Sequence, residues 1–357
     1  MTVSLLPTRT SNTPRATIGL DLTGLGVSTS ATGLSADLPV EKCDLAKLAS
    51  YTRAAHHSGV DFVSLGEQFR LRSDRAVRRD DWLDPVVAAR RISPHAGSAG
   101  LIPSVPAGRA DLGVVAGELA QVSREHGTWT GLQLAGGGEN LARSLPGVSR
   151  SIAGARTRSP RPSVVLQVSG EQDVALAGAH ADIVRIREED LGWARELRYA
   201  VRAAARAAGR EDDVRVLVDL HAVVSQDRAS AEERAGLIAD IDGDQASWAG
   251  ALRAYGTVTD VADVVETWVS AGAADGFVVL PGSVPADVAA LLKGVVPELR
   301  ARGLVEEHTV ASRPTPRRPD DVRRAAGGHG TRNGSVRTTA ASRVHGPASR
   351  LAAVPVA

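Results

Sequence analysis

Between Ala16 and His308 short, almost uniformly apolar runs alternate with longer stretches whose apolar positions recur at helical spacing. The runs "ATIGLDL", "VDFVSLG", "AGLIPSV", "WTGLQLA", "SVVLQV", "DIVRI", "VRVLVDLHAVV" and "DGFVVL" predict eight strands. Helices are predicted over Cys43–Ser58, Asp84–Pro94, Asp111–Arg124, Gln172–His180, Asp190–Ala208, Ser230–Asp240, Val258–Ala271 and Val288–Arg302. The stretch between the fourth and fifth strands reads as irregular. Strands that are apolar throughout and separated by helices call for a parallel sheet covered on its outer face. Eight such units over this length predict an α/β fold, a (β/α)8 TIM barrel.

The stretch "WVSAGAADGFVVLP", Trp268–Pro281, shows how one unit turns into the next. Gly272 is placed to end a helix, and Ala273 and Ala274 to make a tight return. Gly276 would then let backbone approach closely at the lower rim. Pro281 and Gly282 would close the strand at the upper rim, where barrel active sites lie.

Composition adds boundaries. The chain has 357 residues, 43% hydrophobic and 23% charged, as an ordinary globular protein does. Only Lys42, Lys47 and Lys293 are lysines among 42 basic residues, a skew that reflects coding composition rather than a phosphate-binding face. From Thr309 onward nine arginines and two aspartates give +7, which leaves −6 for the rest of a chain whose net charge is +1. That tail has no apolar periodicity and is read as disordered, so the division is 1–16 flexible N-terminus, 17–308 barrel and 309–357 basic tail. Nucleic acid is not an expected partner. Cys43 is the single cysteine, which excludes an internal disulfide or a multi-cysteine metal site. No apolar run reaches the length of a membrane span and the N-terminus lacks a signal-peptide core, so a cytoplasmic location is expected.

The stretch "GTVTDVADVVETWVSAGAADGFVVLPGSVPADVAALLKGVVPELRARGL", Gly256–Leu304, resembles the C-terminal unit of the bacterial luciferase-like flavin monooxygenases, in the nitrilotriacetate and dibenzothiophene-sulfone monooxygenase branch. Weaker similarity runs through "HHSGVDFVSLGEQF", "LDPVVAARRISPHAGSAGLIPSV", "VVLQVSGEQDVALAGAHADIV" and "AAARAAGREDDVRVLVDLHAVV". The resemblance implies a (β/α)8 barrel that receives reduced FMN (FMNH2) from a separate flavin reductase. It implies that the flavin reacts with O2 to form a C4a-peroxide that oxygenates a small organic substrate, and that the barrel pairs as a homodimer. A relative using the deazaflavin F420 is the alternative cofactor class.

Carried over residue by residue, the resemblance places Glu67 near the flavin at the end of strand two, Ser104 at the end of strand three and Gln133 at the end of strand four. Ser169, Gly170 and Glu171 fall in the loop that offers hydroxyls and helix N-terminal amides to the phosphate. No catalytic residue is identified. The chain departs from the family pattern at "HGTW" (His126–Trp129), where an arginine is missing, and in its shortened segment between strands four and five. Its basic tail stands in place of the family's closing signature. A second reading therefore stays open: a barrel without productive flavin chemistry, acting as a binding or partner subunit.

Other constellations carry less. Gly24-x-Gly26 lacks both the third glycine and the following helix of a dinucleotide fingerprint. "GGGEN" (Gly136–Asn140) could cradle a phosphate but reads better as a flexible stump. His56, His57, His95, His126, His180 and His221 show no ligand spacing, so no metal is expected. Of these, His126 is placed near the flavin face. Trp129 is a core residue or a pocket wall.

Overall fold

Five of the helices begin at a short polar side chain that caps them. In the computed structural model, which describes residues 15–26, 44–71, 82–154, 161–211, 214–243 and 246–306, Asp44 caps α1 (Leu45–Ser58), Asp84 caps α2 (Pro85–Ile92), and Asp190 caps α6 (Leu191–Ala207). Asp227 caps α7 (Arg228–Asp242), and Thr257 forms a capping box with Asp260 at the start of α8 (Val258–Ser270). The expectations for the flexible N-terminus up to residue 14, for Cys43 and for the tail from residue 309 lie outside the described residues.

The strands are β1 (Thr17–Asp21), β2 (Phe62–Leu65), β3 (Gly100–Pro106), β4 (Gly131–Ala135), β5 (Ser163–Val168), β6 (Ile183–Ile186), β7 (Arg215–Val224), β8 (Leu252–Gly256) and β9 (Gly276–Pro281). All pair in parallel. Strands β1 to β7 follow one another, and β9 sits between β7 and β1, closing an eight-stranded barrel. The (β/α)8 expectation holds, with one addition. Strand β6 pairs β7 only at Arg215–Val218, and above it β8 takes the same edge at Leu220–Val224. The run "LRAYG" was not among the expected strands because Arg253 and Tyr255 interrupt it. It forms because β6 is short and leaves ladder donors and acceptors that another backbone must satisfy.

A second difference lies between β4 and β5. The stretch read as irregular contains α4 (Gly138–Gly154), with Pro146 inside it. Leu141, Leu145 and Val148 are buried at a spacing of four then three, so a helical stripe was present beneath the breakers. Packing overrides the cost of the proline. The helix docks through Ser144 Oγ, which donates to the Ala107 carbonyl, and through Ser149 Oγ, 3.2 Å from His180 Nδ1 on α5 (Glu171–His180). The last predicted helix is also divided. A π turn at Leu291–Val295 separates its two short α segments just before Pro297, which has no N–H to donate.

An aspartate before a strand pins the lower rim three times. Asp61, Asp182 and Asp275 accept the backbone N–H of Ile18, Val164 and Val216 at 2.7, 2.8 and 2.9 Å, each from the neighbouring strand. The corner at Ala273–Gly276 works as its composition suggests. Gly272 is left-handed, with φ 70°, and Ala273 N–H closes on the Trp268 carbonyl at 3.0 Å. A Cβ on Gly276 would lie 2.0 Å from the Thr17 carbonyl oxygen, so only glycine lets β9 pass β1 there.

Inside the barrel, Phe62, Ile102, Val165, Ile183, Leu217 and Val278 form a separate apolar plug near the lower end, with Trp129 packed against it. The ring of Trp129 meets Phe62 edge-on at 6.0 Å. Trp129 therefore belongs to the plug and walls no upper pocket. His126 ends α3 (Leu112–His126), which leads into the lower end of β4. It stands at the opposite face from the one expected for it.

Candidate functional site at the barrel mouth

Side chains alternate along each strand, so the positions in step with the apolar plug also face inward above it. These include Asp21, Ser64, Ser104, Gln133, Arg185, Asp219 and His221, all of them buried, with Gln167 half-buried on β5 and the apolar Leu280 on β9. The apolar plug thus gives way to a polar layer at the strand C-termini.

Arg185 holds that layer together. Its Nε donates to Asp219 Oδ1 at 2.7 Å, and its Nη1 donates to Gln133 Oε1 at 2.9 Å and reaches Asp21 Oδ2 at 3.5 Å. Ser64 Oγ donates to Asp21 Oδ2 at 2.8 Å, and Arg187 Nε donates to Asp219 Oδ2 at 3.0 Å. Burial works to lower the Arg185 pKa, but Asp219 and Asp21 outweigh it and hold the guanidinium above its ordinary value. Two arginines face two aspartates, so the floor is close to neutral. Arg187 also donates to the Ala249 carbonyl at 3.0 Å, tying the end of β6 to the approach to β8.

Sequence reasoning did not select Asp21, Arg185 or Asp219. The signal was present, as single charges inside apolar strand runs: Asp21 in "GLDL", Arg185 in "IVRI", Asp219 in "LVDL". A buried charge needs a partner, and its position within a strand says which face it occupies. Which partner it meets depends on strand order.

The residues that the resemblance selected lie along one arc of the mouth, on β2 to β5. Ser104 and Gln133 stand opposite each other in the β3–β4 register. The Gln133 carbonyl is engaged by Arg185, which leaves its amide NH2 to donate. Ser104 makes no side-chain hydrogen bond among the described residues. Glu67 is on the turn after β2, half-buried. No hydrogen bond among the described residues joins its carboxylate to Ser104 or Gln133. Segments 27–43 and 72–81, which follow β1 and β2, lie outside the described residues.

Ser169, Gly170 and Glu171 form the turn after β5 and the start of α5, as expected. Their surroundings do not suit a phosphate. Asp173 is buried, and its Oδ2 accepts the Ser169 N–H at 3.1 Å while its Oδ1 accepts the Gly138 N–H at 3.3 Å. The glycine-rich turn, with Gly136 and Gly138 at positive φ, thus folds around the chain's own carboxylate. It is an ordered cradle rather than a loose stump. Glu171 adds a second acid to the same helical turn. A dianion about 4 Å from one carboxylate is repelled by about 2–8 kcal/mol at effective dielectric constants of roughly 80 to 20. The helix N-terminus returns about 0.3–2 kcal/mol. Repulsion wins.

On the opposite arc, His221 is fully buried. Its ring stacks on Trp248 at 4.4 Å, its Nδ1 lies 3.0 Å from the Tyr255 hydroxyl, and its Nε2 has no hydrogen-bond partner among the described residues. Burial, assisted by Arg253 and opposed by Asp287, pushes its pKa from 6.5 down to about 4. The unfolded chain therefore takes up this proton at a higher pH than the fold does. His221 should remove stability as pH falls from about 6.5 to about 4, by up to about 3 kcal/mol. Denaturant unfolding of the wild type and of His221→Phe across that range measures this. The stability difference between the two proteins should shift by that amount, and identical pH profiles would refute the assignment.

Comparison with known proteins gives a consistent picture. The sequence model described as luciferase-like monooxygenase matches residues 84–332, well over half of the chain. No curated protein matches in sequence. Among solved structures, EDTA monooxygenase (EmoA) from Chelativorans sp. BNC1 superposes with a TM-score of 0.64 at 17% identity, covering 82% of this chain and 95% of that one. Riboflavin lyase (RcaE), solved with modified FMN and substrate riboflavin, gives 0.63 at 14% identity over 82% and 93%. The coenzyme F420-dependent tetrahydromethanopterin reductase from Methanopyrus kandleri gives 0.52 at 11% identity over 80% and 99%. At these identities the likeness to the solved structures is one of fold.

Proposed function

Because this chain belongs to the luciferase-like monooxygenase family and is with it a flavin-dependent oxidoreductase, we propose that it is the oxygenating component of a two-component system. It takes reduced flavin from a separate reductase and uses O2 to oxygenate a small organic substrate. The observation that carries this reading is the pair Ser104 and Gln133. They stand side by side within the near-neutral polar layer, with a hydroxyl and an amide NH2 still available. That pair can bind and orient the polar edge of a flat heterocycle, and the apolar plug beneath closes the barrel to water from below. Glu67 is the further group on the same arc, half-buried on the turn after β2.

The reading is tested by titrating the purified protein with oxidised and anaerobically reduced flavins, and with F420, by fluorescence quenching and thermal shift. Saturable binding, tighter for a reduced flavin, is expected. Ser104→Ala and Gln133→Leu should each weaken it by about 5- to 10-fold, as loss of one hydrogen bond does. A folded barrel that binds no flavin would favour the partner-subunit reading instead. Tight binding of F420 alone would move the chain to the deazaflavin class. None of the described helices is long and apolar enough to cross a membrane.

A further inference from the structure

We infer that the flavin this barrel takes is one without a terminal phosphate, and that Asp173 is the residue that decides it. The inference rests on the flavin reading above and specifies which form of flavin is meant. Two turns on neighbouring strands converge on one buried carboxylate. Ser169 N–H donates to Asp173 Oδ2 at 3.1 Å from the turn after β5, and Gly138 N–H donates to Oδ1 at 3.3 Å from the turn after β4. Asp173 has no ion pair among the described residues, so its charge is met by amide dipoles and not cancelled by a cation. Gly137 lies so close that a Cβ there would come within 3.3 Å of Asp173 Oδ2. The position that a bound anion would take is therefore already filled by an anion of the protein, at the only part of the mouth where the resemblance places a phosphate. Glu171, exposed in the same helical turn, repels a second negative charge from the solvent side.

The same groups suit an uncharged ribityl chain. A terminal hydroxyl can donate to a carboxylate, which accepts on both oxygens and has capacity left after two amide donors. A phosphate dianion has no proton to give. Charge and hydrogen-bond polarity therefore select the same ligand class: an isoalloxazine carrying a neutral polyol.

The probes are riboflavin and FMN, titrated against the full-length protein by flavin fluorescence quenching at matched ionic strength. Riboflavin should bind the wild type at least as tightly as FMN. Raising the salt should tighten FMN binding by screening the repulsion and leave riboflavin unchanged. Asp173→Asn keeps the side-chain shape and one acceptor. It should tighten FMN by about 10-fold and weaken riboflavin, whose hydroxyl loses a charged acceptor, by about 5- to 10-fold. Wild-type FMN binding that is 10-fold or more tighter than riboflavin binding would overturn the inference, and so would FMN binding that weakens with salt. The wild-type comparison decides the matter even if the variant does not fold. If neither flavin binds, this inference and the flavin reading both fall, whereas a marked preference for FMN sinks this inference alone.

Discussion

Replacing Arg185 with methionine is expected to destabilise the barrel by about 3–5 kcal/mol, the cost of leaving buried carboxylates without their cation. The side chain is 5% exposed and Asp219 is 0% exposed, so water cannot take the guanidinium's place. Methionine keeps the unbranched apolar stem but not the guanidinium head, so a small cavity adds to the loss. Asp219 would retain Arg187 at 3.0 Å, but among the described residues Asp21 would keep only the Ser64 hydroxyl and the Thr23 N–H, at 2.8 and 2.9 Å. Removing charges in pairs should be cheaper. Arg185→Met with Asp21→Asn should cost clearly less than the sum of the two single changes, because the second substitution relieves the charge that the first strands. Urea unfolding of the four proteins measures the cycle. Additive effects, or a single-mutant loss below about 1 kcal/mol, would show that the layer is solvated and does not act as one network.

The second large effect is expected at the lower rim. Asp275→Ala should cost about 3–4 kcal/mol, from one orphaned backbone donor and a pair of arginines left facing each other. Its Oδ2 accepts the Val216 N–H at 2.9 Å, and its Oδ1 accepts from Arg198 Nη2 at 2.6 Å and Arg202 Nη1 at 3.3 Å. Its backbone also accepts the Thr17 N–H and donates to the Val216 carbonyl, so one residue joins β1, β7 and β9 to α6. Asp275→Asn keeps an acceptor for Val216 but turns an NH2 toward the two arginines, so it should recover only part of the loss. Thermal and denaturant midpoints of the two variants separate the parts. An alanine variant as stable as the wild type would mean that water serves this rim equally well.

Both residues show how far a linear reading reaches. "GAADGF" announced a helix end, a return and a close backbone approach, and Gly272 and Gly276 occupy those roles. The repeated aspartate before a strand, in "VDF", "ADI" and "ADG", was equally visible, yet its function needs the neighbouring strand's N–H. The helix α4 was missed because Pro146 and three glycines are strong local signals, whereas the stripe of Leu141, Leu145 and Val148 gains its value only against α3 and α5. Strand β8 was missed for the converse reason. Its own composition is poor, and it exists because β7 offers an unpaired edge.

The site divides along the same line. Ser104 and Gln133 could be placed at strand ends from a family resemblance, and the register sets them side by side. Arg185, Asp219 and Asp21 come from three strands whose adjacency no linear pattern states, with Arg185 and Asp21 lying 164 residues apart. Asp173 was not singled out in the sequence, although its carboxylate gathers the turns after β4 and β5.

By itself the sequence determined the alternation of strand and helix, the caps, the glycine corners and hence the barrel, because these are written in local periodicity and steric allowance. The tertiary structure decided which buried charges meet, which edge β8 completes and which anion occupies the β5–α5 turn. Those outcomes depend on distances between residues remote in the chain, and Coulomb and hydrogen-bond energies change sharply over a few ångströms.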